Sequence, residues 1–436
     1  MLASASAIDQ PGPRARLDAL DRGDGQRITS IDALRGFTML VMIFVNELSG
    51  VSPEVVPPWM KHFHGKSGLT FVDVVFPAFL FVAGMSIPFA LGSRGAKGEP
   101  LWKTLFHVLI RSASLILIGI LMVNGRPDSG KMGWSGSLWV TLMFLAAICA
   151  FCSIRPGKQP TASVNGARIA RVISLALRVV GYAAMTYLAF VFIGTDDHRI
   201  ITLSPFSIST KYYGILGEIG WSYLIASAIF LAFQCRRTAL LGCLALLYCL
   251  YPAYKLGAFD WFWLAHHLDI GGTGTHAGIM LAGTLLATTL VTRETGSHGA
   301  RSRFTLLLVA GGAVGALLLN ALYGVSKNNA TPSFCLWTTS ITAALWLGLY
   351  SFADVWASER TKRIVGPLAL AGGNVLLAYL LSEMWHPFLD VVQLRRFYDQ
   401  FAELNLACAL IRAASCSIAV VALTTLINRL GLRLKL

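Results

Sequence analysis

Between residues 30 and 81 the chain sets five polar side chains able to carry charge or move a proton into otherwise apolar sequence. Asp32 and Arg35 open one apolar run, Asn46 closes it, His62 sits in the connection that follows, and Asp73 opens the next run. Ionisable groups at membrane depth are costly, so helices that only anchored a protein would have no use for them. Histidine is the side chain whose ordinary pKa lies near neutrality, which suits proton transfer at a membrane face. An amide such as Asn46 can hold an imidazole tautomer or donate to an oxyanion. Asp73 can orient His62 or cap the helix that begins near Thr70. Asp32 and Arg35, three apart, lie on one helix turn and can pair with each other. His64 is a second candidate for the role of His62.

Other constellations are weaker. Of nine histidines, His62, His64, His198, His266, His267, His276 and His386 fall on one side of the expected membrane or at helix ends facing it. A loop histidine is most often simply solvated. His266-His267 beside Asp269 could hold a metal, but the spacing is unspecific, and no metal is expected. The eight cysteines are scattered through apolar runs and read as small packing residues. The chain carries no phosphate loop, no dinucleotide-binding glycine pattern and no GxSxG.

The elements that must position these residues follow from composition. The 436 residues are 55% hydrophobic and 13% charged, against about a quarter charged in soluble domains. The expected fold class is all-α, a polytopic membrane protein. Twelve apolar segments approach or exceed the length needed to span a bilayer: 31–51, 70–92, 103–124, 135–154, 171–195, 212–234, 237–254, 275–293, 303–324, 334–357, 364–387 and 404–428. With the N-terminus inside, 23 of the 36 Lys and Arg residues fall on the inner side and 10 on the outer. This positive-inside bias explains the net charge of +14 without nucleic acid. Residues 1–26, polar and rich in Pro, Gly, Asp and Arg, read as a disordered cytoplasmic N-terminus with no cleaved signal peptide. Residues 27–436 form the transmembrane domain.

The first block of motifs resembles the heparan-α-glucosaminide N-acetyltransferase family, including its bacterial NagX-like relatives. The family opening S-[IV]-D-x-[LF]-R-G is matched by Ser30-Ile31-Asp32-Ala33-Leu34-Arg35-Gly36, and FVN by Phe44-Val45-Asn46. The pattern H…GLTxxDLVFPxFxF is matched by His62 and residues 68–81. Later, supportive matches are Ser326-Lys327-Asn328 with Leu336-Trp337-Thr338-Thr339-Ser340, and Gly372-Gly373-Asn374-Val375-Leu376-Leu377-Ala378-Tyr379. The segment 214–220, GILGEIG, departs from GVLQRIG by lacking the Gln-Arg pair. Residues 125–211 read as an inserted helix pair on a ten-helix family core.

This resemblance implies a transmembrane acyltransferase that takes acetyl-CoA from the cytosol and acetylates a glucosamine-type amino sugar or glycan on the outer side. Carried over by position, His62 is the catalytic base, with Asn46 and Asp73 beside it. Arg35, Arg111, Asp32, Lys327 and Asn374 are the candidates for binding acetyl-CoA. Direct transfer and a covalent acyl-histidine route both remain open. The expected partners are the acceptor, acetyl-CoA and the bilayer, with a homodimer left open. The expected location is a bacterial inner membrane with both termini cytoplasmic. Two alternatives stand. Acyltransferase-3 enzymes, which O-acylate surface glycans, open with a similar LRG helix, but Asn46 occupies the position of their histidine. A secondary transporter also uses polar intramembrane residues, though no inverted repeat is evident.

Charge alternation across the connections makes a direct prediction. Topology reporters fused at residues 62, 163, 262 and 298 should read outside, inside, outside and inside. An inside signal at residue 62 would overturn both the topology and the assignment of His62.

Overall fold

The structure is a computed structural model. It describes residues 28–123, 126–154, 164–203, 206–208, 213–262, 265, 268–292 and 297–436; the expected disordered N-terminus, and His266 and His267, lie outside them. The all-α expectation holds. The helices are α1 (Thr29–Ser49), α2 (Phe71–Ala96), α3 (Leu101–Val123), α4 (Gly136–Ala150), α5 (Val164–Val191), α6 (Gly214–Phe233) and α7 (Arg237–Lys255). They continue as α8 (Ile270–Val291), α9 (His298–Tyr323), α10 (Pro332–Tyr350), α11 (Glu359–Ala371), α12 (Val375–Val391), α13 (Arg395–Glu403) and α14 (Leu406–Arg429).

Each of the twelve apolar segments falls on a helix. Nine helical stretches among the described residues are long and apolar enough to cross a membrane, with Glu359–Val391 counted as one. The chain is a polytopic membrane protein. Two details differ from the sequence reading. The segment expected as one helix over 364–387 is broken by the tight turn Gly372–Asn374, because paired glycines hold helical backbone weakly. Short strands also occur: β1 (Cys152–Ile154) pairs antiparallel with β4 (Leu432–Leu434), and β2 (Ile201–Leu203) with β3 (Phe206–Ile208). The first ribbon ties the end of α4 to the C-terminal residues, so these two ends share one face of the molecule. Residues 125–211 contain α4 and α5, joined where Trp139 Nε1 donates to the Leu188 carbonyl at 3.0 Å.

Helix α8 is the axis of the bundle and is almost wholly buried. It lies against α2 at a crossing built from two glycines. A Cβ on Gly84 would stand 1.9 Å from the Met280 carbonyl oxygen, and one on Gly283 2.0 Å from that of Phe81. Thr284 Oγ1, from α8, donates to the Gly84 carbonyl at 3.0 Å. Close backbone approach through small residues is how helices associate where lipid offers no hydrophobic drive. A second crossing brings Gly372 onto the first turns of α1, where its Cβ would lie 2.1 Å from the Asp32 carbonyl oxygen. The N-terminus of α1 is held by Asp354, whose carboxylate accepts from Thr29 N (3.2 Å) and Ser30 N (3.1 Å). These crossings set the positions of α1 and α2, and with them the polar residues at their ends.

Replacing Gly84 by Leu should therefore lower the stability of the detergent-purified protein by about 1–3 kcal/mol or more, since rigid backbone leaves the side chain no room. Gly311→Ala, where a Cβ meets nothing within 4 Å, is the control. Thermal unfolding of both variants measures the difference; equal melting temperatures would show the α2–α8 crossing to be looser than described.

Candidate active site

The site begins with the start of α2. Thr70 is its N-cap, and Asp73, at the third helical position, closes a capping box by accepting from Thr70 N at 3.0 Å. The same carboxylate oxygen accepts from Phe63 N at 3.1 Å. The other, Oδ1, faces His62 Nδ1 at 2.8 Å. Asp73 is only 1% exposed, so the pairing is sheltered from water. The two sequence readings of Asp73, orienting His62 and capping α2, are thus both satisfied by one carboxylate. Because Asp73 Oδ1 needs a donor, the network assigns the proton to His62 Nδ1, leaving Nε2 as the basic atom. His64, by contrast, is exposed and makes no hydrogen bond among the described residues.

Lys327 completes the cluster from far along the chain. The loop between α9 and α10 is sewn to the His62 loop: Gly68 N donates to the Val325 carbonyl (2.9 Å), and Val325 N donates to Ser67 Oγ (2.9 Å). Thr331 then holds the loop, its Oγ1 accepting from Ser326 N at 3.0 Å. Lys327 Nζ consequently lies 3.0 Å from His62 Nδ1, 3.4 Å from Nε2 and 3.9 Å from Asp73 Oδ1. Burial pulls its ammonium below the usual lysine range, opposed by the carboxylates of Asp73 and Glu218. Lys327, grouped by resemblance with the acetyl-CoA contacts, meets the histidine itself.

Beyond Lys327 opens a cavity of about 850 Å³. Its wall includes Glu218, Trp221, His276 and Glu383. His276 Nδ1 and Glu218 Oε2 stand 2.9 Å apart. Asn46 does not bond to His62. Its Nδ2 donates to Glu383 Oε1 at 3.2 Å, so it meets the cavity through Glu383.

Next to Asn46, Glu47 anchors a buried polar cluster that sequence reasoning did not assemble. Its carboxylate binds His386 Nε2 at 3.1 Å and Tyr398 Oη at 2.8 Å, and pairs with Arg412 Nε at 3.5 Å. Arg412 also donates to the Glu47 carbonyl at 2.6 Å and to Asp399 at 3.1 Å. The available signal was the presence of Arg412 inside an apolar run, where a charge needs a partner.

The start of α1 is separate, about 16 Å from Asn46 at the rise of a helix. Arg35 donates to Asp32 (2.9 Å), to Ser86 Oγ (2.6 Å) and to the Gly372 carbonyl (3.3 Å). Asp32, Arg35 and Ser86 line a pocket of about 340 Å³ with Ile28, Ile31 and Phe89. Asn374, two residues past Gly372, accepts from Leu434 N at 3.3 Å, and its Nδ2 is buried with no partner. Arg111 is not in that pocket; its guanidinium lies over the Tyr223 ring, 4.7 Å from the centroid.

A histidine oriented by a buried carboxylate, beside a lysine that lines a cavity, is a site suited to proton abstraction and group transfer. Residues 27–192 match a family model described as a domain of unknown function, DUF5009. Human heparan-alpha-glucosaminide N-acetyltransferase is 34% identical over 134 residues, covering 28% of this chain and 19% of the human protein. The mouse protein of the same name is 33% identical over 113 residues, covering 26% and 16%. The chain thus matches less than a fifth of the length of these curated relatives. The resemblance carried by residues 30–81 is borne out by these matches.

The environment of Lys327 makes a prediction that needs no substrate. With lysines labelled by reductive ¹³C-methylation, the Lys327 resonance should titrate at lower pH than the exposed lysines. Asp73→Asn should move it lower still, because that carboxylate raises it. A Lys327 titration coincident with the exposed lysines would contradict its buried placement.

Proposed function

We propose that this protein is a transmembrane N-acetyltransferase that passes an acetyl group from acetyl-CoA on the cytoplasmic face to a glucosamine-type amino sugar on the outer face. Twelve spans with both termini cytoplasmic complete the reading. The observation that carries it is the pairing of His62 Nδ1 with the buried Asp73 carboxylate, which leaves Nε2 basic beside Lys327, a residue of the cavity wall. The matches to the human and mouse acetyltransferases support the same reaction class.

Acetyl-CoA, the donor substrate, supplies a thioester whose carbonyl carbon accepts the amine and whose thiolate leaves. The pocket at the start of α1 fits part of such a molecule: its volume is at the lower end of ligand sites, and Arg35, with Ser86 beside it, offers a cation and hydrogen-bonding groups. His62 Nε2 takes the proton released as the acceptor nitrogen forms its amide bond, and Asp73 stabilises the imidazolium that results. Lys327 and the second amide hydrogen of Asn46 donate to the carbonyl oxygen as negative charge grows on it. The proton leaves His62 for the departing thiolate, so the products are the N-acetyl sugar and CoA with a free thiol. The base needs no chemistry on itself, which favours direct transfer over an acyl-histidine route.

The test uses sealed proteoliposomes of known orientation. Labelled acetyl-CoA on the cytoplasmic face and glucosamine on the opposite face should yield N-acetylglucosamine on the glucosamine side. His62→Ala should abolish product while leaving acetyl-CoA binding intact, and Asn46→Ala should lower turnover about 10²–10³-fold. Product formed only when both substrates share one face would reject transfer across the membrane. Full activity in His62→Ala would reject the base.

A further inference from the structure

The outer cavity has a chemical character that the transfer reaction alone does not require. Glu383 lines it, yet its one hydrogen bond among the described residues comes from the uncharged Asn46. No cation pairs with it there. Glu383 is half-buried on the cavity wall, where a carboxylate without a positive partner favours a cationic ligand that reaches it. Elsewhere on the wall, Glu218 and His276 form a second carboxylate–imidazole pair at 2.9 Å. Glu218 stands at the place of the arginine in the GVLQRIG pattern of the resembling family, so this position of the wall is anionic where that pattern is cationic, and the cation Lys327 lies on another part of the same wall. Trp221 lies on the same wall; its Nε1 is buried with no hydrogen-bond partner. Its ring meets Tyr213 edge to face, with centroids 6.0 Å apart. Carboxylates, an imidazole and an indole N–H around one cavity form a set suited to a polyhydroxylated ligand carrying a positive charge.

Resting on the acetyltransferase reading above, we propose that this cavity is the acceptor pocket and selects the sugar by its free amine, with Glu383 pairing with the acceptor ammonium and the Glu218–His276 pair holding its hydroxyl groups. Glu383 bonds to Asn46 and therefore places the acceptor nitrogen beside the group that faces the thioester. The selection is against product as well as for substrate. Once acetylated, the nitrogen is neutral and the Glu383 pairing is lost, so the product leaves. The ammonium must shed one proton before attack, and a second leaves as the amide forms. The first passes to solvent through the open cavity; the second goes to His62 Nε2 and then to the CoA thiolate.

The experiment is calorimetric titration of the full-length protein in detergent, without acetyl-CoA, using D-glucosamine, N-acetyl-D-glucosamine and D-glucose. Glucosamine should bind at least about tenfold more tightly than the other two, the worth of one charge-assisted hydrogen bond. Glu383→Gln, which keeps a carbonyl oxygen for Asn46, should erase that preference and raise the acceptor KM by a similar factor. Glu218→Gln should weaken all sugars together. Equal binding of glucosamine and N-acetylglucosamine by the wild type, or an unaltered preference in Glu383→Gln, would overturn the assignment. Should Glu383→Gln fail to fold, unchanged glucosamine affinity in Glu218→Gln would overturn it equally. Transfer to glucosamine with an unaltered KM in Glu383→Gln would leave the enzymatic reading standing and remove this pocket. Glutamate-dependent glucosamine binding with no transfer would do the reverse.

Discussion

One buried carboxylate organises the face of this protein that carries His62. Asp73 sits at the first turn of α2, where backbone N–H groups lack helical partners. It binds Thr70 N and Phe63 N with one oxygen and His62 with the other. An ionised carboxylate is expensive to bury unless its lone pairs are satisfied, and here three donors satisfy it. The same bonds therefore stabilise the helix start, fold the loop back on itself and fix the imidazole. The Lys327 loop docks onto this arrangement through Ser67 and Gly68, so the lysine inherits its position from the carboxylate. Removing Asp73 would disturb capping, loop and base at once.

A second constraint comes from the membrane interior, where polar groups must find partners within the protein. At the C-terminal end of α1 this produces the cluster of Glu47, His386, Tyr398 and Arg412. Buried ion pairs add little net stability over well-packed apolar residues, so their value lies in position. Arg412 reaches from α14 to both the carboxylate and the carbonyl of Glu47, and thereby holds the residue that follows Asn46. At the other end of α1, Asp354 and the Gly372 turn hold the helix start. Asn46 and Arg35 are thus presented at opposite ends of a helix clamped at both.

The family-model match over residues 27–192 takes in α1, the His62 loop and α2 through α5. The cavity also draws on later elements: Glu218 and Trp221 from α6, His276 from α8, Lys327 from the α9–α10 loop and Glu383 from α12. The proton-handling groups and the walls of the cavity thus come largely from different parts of the sequence. Such a division lets the cavity wall change while the histidine and its carboxylate stay fixed, and the GILGEIG segment differs from the resembling pattern at a position on that wall.

The sequence by itself determined what local chemistry and solvent preference can dictate. Apolar length placed twelve helical segments, because backbone polar groups in lipid must bond within a helix. The chain from Thr70 to Asp73 predicted a capped helix start with a carboxylate within reach of His62, because all of these lie within twelve residues. The pairing of Asp32 with Arg35 was legible for the same reason. Contacts between distant segments were not. Lys327 reaches His62 across 265 residues and Asn46 reaches Glu383 across 337, and neither spacing leaves a local signature. Nor does it for Glu218 with His276, or Glu47 with Arg412. The sequence reading placed Asn46 beside His62, whereas the packed helices turn it to Glu383. Those partners are chosen by which helix faces meet, and the glycine crossings of α2 with α8 and of α1 with the Gly372 turn decide that only once the whole bundle has formed.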